Sequence, residues 1–227
     1  MPFILLAILL LALIFGPQWW AQYTFRRYAR PHERLPGTGG ELARHLLDRF
    51  DMRDVAVERT EPGQDHYDPR TRTVRLSPDN HDGRSLTAIA VAAHEVGHAI
   101  QHHRNEPMLL WRNRLVTWAA GAQRFGAGAM LLIPVAALVT RSPAAGLLVF
   151  LIGFGSLFLT TLVHLVTLPV ELDASFNKAL PILAEGYLEK HELPAARRIL
   201  RAAALTYLAG SLASLLNLGR WLVLLRR

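Results

Sequence analysis

The chain has 227 residues, of which 51% are hydrophobic, and a formal net charge of +7 at pH 7. Such a high hydrophobic content favours a membrane protein over an ordinary soluble domain. The absence of cysteine excludes disulfide bonds and thiolate metal sites, so any bound metal must use histidine, aspartate or glutamate. The arginines cluster beside apolar segments, which favours a membrane surface over nucleic acid as the partner of the positive charge.

The first predicted element is an N-terminal transmembrane anchor at 1–25. No charged side chain occurs between residues 2 and 25, and Trp19, Trp20 and Tyr23 stand where an interfacial aromatic belt is expected. The stretch lacks a basic start and a small-residue cleavage site, so we expect an anchor rather than a cleaved signal peptide. The positive-inside rule assigns the following arginines to the cytoplasmic side: Arg26, Arg27, Arg30 and Arg34.

Residues 35–114 form the one extensive polar block, which we interpret as a soluble domain. A glycine-rich turn leads into a short amphipathic helix. The stretches 55–60 and 71–77 alternate apolar and polar residues around a turn-rich connection, and so predict a β-hairpin. A second helix should follow and run through His103.

Two further membrane spans and a C-terminal region complete the predicted organisation. The segment 115–168 is almost free of charge and predicts a transmembrane hairpin, with spans near 117–140 and 144–168. The remaining region, 169–227, is expected to be helical. Within it, 204–225 is a candidate fourth membrane segment, although a charged residue interrupts it.

The candidate site lies in the stretch AVAAHEVGHAIQHH at 90–103. His94 and His98 are four residues apart, so on a helix they share one face and lie about 6 Å apart along the axis. One metal ion can then bind both imidazoles, while Glu95 can reach a water on the metal as general base. The neighbouring residues are small and apolar. Burying three polar groups without a partner is costly, so a zinc site is favoured over histidines satisfied within the core.

A catalytic zinc site needs a third protein ligand and an open position for water. His102 lies about 12 Å along the helix from His94, which is too far for a shared ion. Glu171 is the better candidate, because two predicted spans separate it from His98 and return the chain to the same membrane face. Asp173 lies about 200° round a regular helix from Glu171. We therefore assign Glu171 as ligand and Asp173 as its supporting group, with the exchange of the two roles left open.

Two stretches on either side of the apolar hairpin carry a family resemblance: HYDPRTRTVRLSPDNHDGRSLTAIAVAAHEVGHAIQ at 66–101 and LPVELDAS at 168–175. Their order over nearly the whole chain resembles the YugP-like neutral zinc metallopeptidases of bacterial membranes. The resemblance implies a zincin-like catalytic domain at 35–114. The zinc ligands that it implies are His94, His98 and Glu171, and its catalytic base is Glu95. A more distant similarity is to membrane peptidases with Asp four residues after the ligand Glu, where this chain has Ser175.

The predicted fold class is an α+β membrane protein that is mostly helical. It has a zincin-like metal helix, a small β-hairpin or sheet, three transmembrane helices and a candidate fourth. We expect a multi-pass protein of the bacterial cell membrane, with its catalytic domain on the cytoplasmic side. The expected cofactor is one Zn²⁺ per chain. The expected partners are a membrane-proximal peptide or protein substrate and the lipid bilayer, without nucleic acid.

The expected function is zinc-dependent peptide hydrolysis. Zinc held by two imidazoles and a carboxylate lowers the pKa of a bound water toward about 7, and Glu95 transfers the proton to the leaving amine. The strand 71–77 is expected to pair with an extended substrate as an edge strand. The sequence leaves four candidates for the group that stabilises the oxyanion: His66, Tyr67, His102 and Arg104.

Two other functions stay open at this stage. A catalytically inactive relative could keep zinc for structure or partner binding and act as a scaffold, and a fourth ligand would then close the site. A membrane scaffold with a chance motif would bind no stoichiometric metal. Zinc content and peptide cleavage separate these alternatives from the peptidase.

Overall fold

The computed structural model describes residues 2–140 and 143–207. The elements of its first part are α1 (Pro2–Tyr28), α2 (Gly39–Arg49), β1 (Ala56–Arg59), β2 (His66–Asp68), β3 (Thr73–Leu76) and α3 (Pro78–His81). The second part contains α4 (Leu86–His103), α5 (Pro107–Thr140), α6 (Pro143–Leu172), α7 (Leu180–Ile182) and, from 193 to 207, α8. Two π-helical segments flank α7 and span Asp173–Ala179 and Leu183–Tyr187.

Side-chain caps fix the starts of two helices. Thr38 and Glu41 form a reciprocal capping box at α2, in which each side chain accepts the other residue's backbone N–H at 3.2 and 2.8 Å. Ser85 caps α4 by accepting the Ala88 N–H at 3.1 Å. The predicted second helix therefore begins at Leu86, and it ends at His103 as the sequence indicated.

The sheet is mixed, and its strand order is β1-β3-β2. Strands β2 and β3 pair antiparallel, with Tyr67 opposite Val74, whereas β1 runs parallel to β3, with Val57 opposite the same Val74. The predicted hairpin between 55–60 and 71–77 is therefore wrong, because the connection between them supplies the strand that forms the antiparallel pair. The predicted edge strand at 71–77 contains β3, which is central and has its backbone groups engaged on both sides.

The core lies where α2, β3 and α4 meet. Leu46 and Leu47 from α2, Val74 and Leu76 from β3, and Val96 from α4 have no exposed surface. Burial of each such side chain contributes about 1.5–3 kcal/mol relative to exposure. This apolar layer holds α4 in place, and the metal-binding motif lies on that helix.

Within residues 2–140 and 143–207, no helix combines the length and apolar character needed to cross a membrane. The transmembrane helices of the predicted fold class are therefore wrong for this part of the chain, while its mostly helical α+β character agrees with the structure. Most of the candidate fourth segment, 204–225, lies outside the described residues.

The long apolar helices make contacts with other protein segments. The Thr87 hydroxyl of α4 donates to the Phe25 carbonyl of α1 at 2.9 Å, and Gln123 of α5 donates to Thr160 of α6 at 3.1 Å. A helix that packs in a protein interior and a helix that faces lipid have similar compositions. Apolar length in the sequence therefore does not distinguish the two environments.

Candidate metal centre

Three buried side chains converge between α4 and the end of α6. The Nε2 atoms of His94 and His98 lie 3.2 and 3.3 Å from Oε2 of Glu171. One nitrogen or oxygen atom from each residue lies within 4.8 Å of the corresponding atoms of the other two. A tetrahedral zinc ion with bonds of about 2.0–2.1 Å separates its ligand atoms by about 3.3 Å. The donor types and their spacing therefore fit a single zinc ion.

Helix α4 sets the relation between the two imidazoles. His94 and His98 occupy successive turns, with ring centroids 4.7 Å apart and ring planes at 79°. Both rings are almost fully buried. Two buried imidazoles that face one carboxylate need either a shared proton or a shared cation. The helix itself thus supplies two of the three candidate ligands in fixed relative positions.

Glu171 approaches α4 because the two segments pack with almost no space between them. A Cβ atom at Gly97 would lie 2.8 Å from the backbone oxygen of Ala174, which is closer than Cβ atoms approach in proteins. Gly97 lies between the two histidines in sequence, and Ala174 lies three residues after Glu171. The glycine therefore lets the carboxylate segment reach the histidines.

His98 is oriented by Gln101 from the next turn of the same helix. Gln101 Oε1 lies 2.9 Å from His98 Nδ1, and Gln101 Nε2 donates to Val170 O at 3.0 Å and to Asp173 Oδ2 at 2.8 Å. A carbonyl and a carboxylate accept hydrogen bonds, so the amide nitrogen must face them and Oε1 must face His98. His98 Nδ1 therefore carries a proton, and Nε2 is the ring atom that faces Glu171.

Asp173 supports the centre through Gln101 rather than through an imidazole. Its carboxylate accepts from Gln101 and from Asn177, and it pairs with the buried Lys178. Lys178 also lies 3.0 Å from Glu106, in the turn that follows α4. Burial opposes ionisation of Asp173, but these hydrogen bonds and the Lys178 charge lower its pKa to about 2. The side chain expected to exchange roles with Glu171 thus does not join the candidate ligands.

His94 has a different supporting residue, which the sequence reasoning did not identify as a partner. Ser175 Oγ lies 3.1 Å from His94 Nδ1, and the serine is completely buried. The serine lies in the π-helical segment, which begins at Asp173, two residues after Glu171, and departs from the 3.6-residue period of a regular α-helix. The sequence feature that could have identified Ser175 is its position four residues after Glu171. The corresponding feature for Gln101 is its position three residues after His98.

Glu95 is buried beside the two histidines. Burial raises the pKa of Glu95 to about 7, while the nearby His94 opposes the shift and the Glu171 carboxylate reinforces it. A carboxyl group with a pKa near neutrality can both accept and release a proton at physiological pH.

The pKa of Glu171 is lowered despite its burial. Burial by itself would raise the pKa, but His98 and His94 stabilise the carboxylate by charge and by hydrogen bonding, and hold the pKa well below its ordinary value. Arg112 of α5 lies 3.8 Å from the second carboxylate oxygen. Glu171 is thus held as an anion, the form that binds a metal ion.

A small cavity of about 60 Å³ opens beside Glu95, His98 and Glu171. Of the four residues considered for oxyanion stabilisation, His66 and Tyr67 line this cavity, whereas His102 and Arg104 do not. His102 instead lies 2.8 Å from the Tyr67 hydroxyl through Nδ1. Arg104 is exposed at the end of α4.

Arg112 and Tyr207 also line the cavity, and no sequence pattern predicted that either residue would belong to the site. Arg112 is the one arginine or lysine among the described residues that line it. Its Nε atom is buried and has no hydrogen-bond partner among the described residues. Burial raises the pKa of Tyr207, so its phenol is neutral at physiological pH. The two side chains could supply hydrogen-bond donors to a ligand in the cavity.

Comparison with known proteins extends these observations to the whole chain. The model of the family described as "putative neutral zinc metallopeptidase" matches residues 3–226. The chain is 37% identical to the "Putative membrane protease YugP" of Bacillus subtilis (strain 168), over 99% of this chain and 96% of the relative. The resemblance to the YugP-like family is confirmed. No solved structure matches the chain.

Proposed function

The chain belongs to the neutral zinc metallopeptidase family, and from that premise we propose that it is a zinc-dependent endopeptidase. In this proposal His94, His98 and Glu171 hold the zinc ion and Glu95 is the general base. The family uses zinc, and the three-residue group provides a donor set that zinc accepts. The observation that carries the proposal is the presence of Glu95 in the same small cavity as His98 and Glu171.

Bound zinc would polarise the scissile carbonyl and lower the pKa of an attacking water. Glu95 would accept a proton from this water and return it to the leaving amine. Gln101 and Ser175 would keep the Nε2 atoms of the two histidines directed at the ion. Arg112 or Tyr207, at the wall of the cavity, would donate a hydrogen bond to the carbonyl oxygen as negative charge develops.

The substrate would bind in an extended conformation along β2. Strand β2 is an edge of the sheet, and His66 and Tyr67 at its start line the cavity. Glu95 lines the same cavity, so this end of β2 lies beside the candidate base. Addition of a peptide to a sheet edge provides backbone hydrogen bonds whatever the side chains are. This arrangement replaces β3, which the sequence suggested and which is central.

The proposed place of action is the cytoplasmic face of a membrane. The similar Bacillus subtilis protein is named as a membrane protease. In this chain, four arginines between 26 and 34 are exposed at and after the end of α1. The inner leaflet carries anionic lipids that attract such basic segments. A substrate near that surface would be within reach of the site.

The proposal is tested with the full chain purified in detergent. Zinc is measured in the wild type, His94→Ala and Glu171→Ala, and both variants are expected to lose stoichiometric zinc. Peptide-library cleavage then compares the wild type with Glu95→Gln, which is expected to retain zinc and lose about 10²–10⁴-fold in rate. Unchanged cleavage by Glu95→Gln would contradict the assigned base.

The inactive zinc-binding scaffold makes the opposite prediction for cleavage. The group found among the described residues has three members, as is usual for a catalytic zinc site, whereas structural sites are closed by four. If the wild type holds zinc but cleaves no peptide in the library, the scaffold replaces the peptidase. If the wild type holds no metal, both proposals fail.

A further inference from the structure

A basic groove of about 360 Å³ lies between the end of α1 and the start of α8. Trp20 of α1 forms part of its wall, and no acidic residue lines it. None of the candidate metal ligands belongs to it. The side chains that define this basic groove are Trp20, Lys190, Leu193, Pro194, Arg197, Arg198 and Arg201.

The positive charge of the basic groove is not neutralised within the described part of the chain. Lys190, Arg197 and Arg201 are exposed, and no ion pair or hydrogen bond from their side chains joins them to other described residues. Arg198 donates to the Tyr28 hydroxyl at 3.0 Å, which is a neutral acceptor and leaves the charge in place. Like charges that share one groove repel each other, and a bound anion would relieve that repulsion.

The nearest acidic residues in sequence are engaged elsewhere. Glu189 lies 3.2 Å from His191, and the buried Glu192 lies 3.1 Å from His32. Glu192 also accepts the Glu189 backbone N–H at 2.8 Å, which holds its carboxylate at the start of α8. These contacts leave the cations of the basic groove available to an external anion.

An exposed aromatic stripe on α1 borders the basic groove. Phe15, Trp19 and Tyr23 are 48%, 70% and 61% exposed, and their spacing of four residues places them along one side of the helix. The rings of Phe15 and Trp19 stack with centroids 6.5 Å apart. Trp19 directly precedes Trp20, which lines the groove. Exposed aromatic rings beside basic residues are typical of the headgroup level of a membrane.

We propose that the basic groove binds the phosphate of an anionic lipid headgroup. Arg197 and Arg201 are one helical turn apart, so their guanidinium groups can bind oxygens of the same phosphate. Lys190 adds a third charge at the end of the groove. Free phosphate offers the same anion, but it would gain nothing from the neighbouring aromatic stripe. The inference extends the membrane association in the proposed function and depends on it, but not on peptide cleavage.

The test measures lipid binding by the full chain in neutral detergent. Short-chain phosphatidylglycerol is titrated into the wild type and into the double variant Arg197→Gln/Arg201→Gln. Phosphatidylcholine of the same chain length controls for the acyl chains, and inorganic phosphate tests the bare anion. Loss of each cation should weaken phosphatidylglycerol binding about fivefold, and loss of both about 25-fold.

The matched control is Arg53→Gln/Arg70→Gln, which removes the same charge from two exposed arginines outside the basic groove. This variant should bind phosphatidylglycerol within about twofold of the wild type. Equal weakening in both double variants would show that the overall charge, not the groove, attracts the lipid, and would overturn the proposal. Inorganic phosphate that binds as tightly as phosphatidylglycerol would overturn the assignment to lipid.

Cleavage of a short soluble peptide separates this inference from the peptidase proposal. Both double variants should cleave such a peptide in detergent at the wild-type rate, because neither changes a residue of the candidate centre. Loss of lipid binding with cleavage retained supports the groove assignment. If the wild type cleaves no peptide but binds lipid in a way that needs Arg197 and Arg201, the groove assignment is supported and the peptidase proposal fails.

Discussion

The two histidines of the candidate metal centre are supported by different parts of the molecule. The partner of His98 is Gln101, on the same helix, and two further hydrogen bonds fix its amide. The partner of His94 is Ser175, which comes from the π-helical segment after α6. His98 is therefore oriented through a residue of α4 that is itself anchored to Val170 and Asp173, whereas His94 bonds directly to the distant segment. Two candidate ligands of the same chemical type thus have hydrogen-bond partners that differ in kind and in position along the chain.

Gln101→Leu should have the largest effect among the supporting residues. Leucine removes the acceptor of the His98 Nδ1 proton and leaves the Val170 carbonyl and the Asp173 carboxylate without their amide donor. Loss of a group that orients a metal ligand costs about 10–100-fold in metal affinity, and we expect a result near the upper end. A competition titration of zinc against a chelator measures the effect.

Gln123→Leu is the matched control, because it removes a glutamine that bonds to Thr160 on the pair α5 and α6. Its zinc affinity should equal that of the wild type. Equal affinities for Gln101→Leu and the wild type would show that α4 orients His98 without this side chain.

Gly97→Ala should have the next largest effect, because it destabilises the contact that brings Ser175 and Glu171 to α4. The added Cβ would meet Ala174 O at 2.8 Å, where both partners are backbone and have little freedom to move. Overpacking of this kind costs about 1–3 kcal/mol. A lower midpoint of thermal unfolding, with weaker zinc binding, is the expected result.

The control for this prediction is Gly121→Ala on α5, where an added Cβ meets nothing within 4 Å. Alanine favours a helix over glycine by about 1 kcal/mol, so this variant should be at least as stable as the wild type. If both glycine variants unfold at the same temperature, the close approach of Gly97 to Ala174 does not limit the packing.

Ser175→Ala should have the smallest effect. It removes the one hydrogen bond between Ser175 Oγ and His94 Nδ1, whereas Gln101→Leu removes three hydrogen bonds. The expected loss of zinc affinity is about tenfold, at the lower end of the range for such groups. The same chelator titration applies.

The double variant Gln101→Leu/Ser175→Ala sharpens the comparison. If the two supports act independently, the free-energy losses of the single variants should add. A loss in the double variant no larger than that in Gln101→Leu would show that the two supports act as one unit, contrary to the difference inferred from the structure.

The sequence predicted some elements well and others poorly, for identifiable reasons. The end of α4 at His103 agrees with its pattern. The pairing of 55–60 with 71–77 was wrong because alternation identifies strands but does not choose their partners. β2 has only three residues, from His66 to Asp68, and is too short for a periodic signal. The transmembrane helices were wrong for the described residues because apolar length does not distinguish lipid from protein contacts.

The candidate site also combines features that the sequence predicts with features that it does not predict. The positions of His94, Glu95 and His98 relative to one another follow from helix geometry. The supporting role of Asp173 stays a prediction; in the structure Asp173 lies at the start of a π-helical segment and contacts Gln101 instead of an imidazole. No local pattern indicated Arg112, because its approach to Glu171 depends on the path of α5.

The sequence by itself determined the chemistry available on one helix: two imidazoles one turn apart, a carboxyl group beside them, and no thiolate to compete. Backbone hydrogen bonds set that spacing over a few residues, so the local sequence is sufficient to predict it. Only the tertiary structure decided which carboxylate meets the histidines, which strand lies at the sheet edge, and where the unneutralised arginines gather. Those outcomes depend on packing between segments far apart in sequence, such as Gly97 against Ala174, and no local periodicity encodes them.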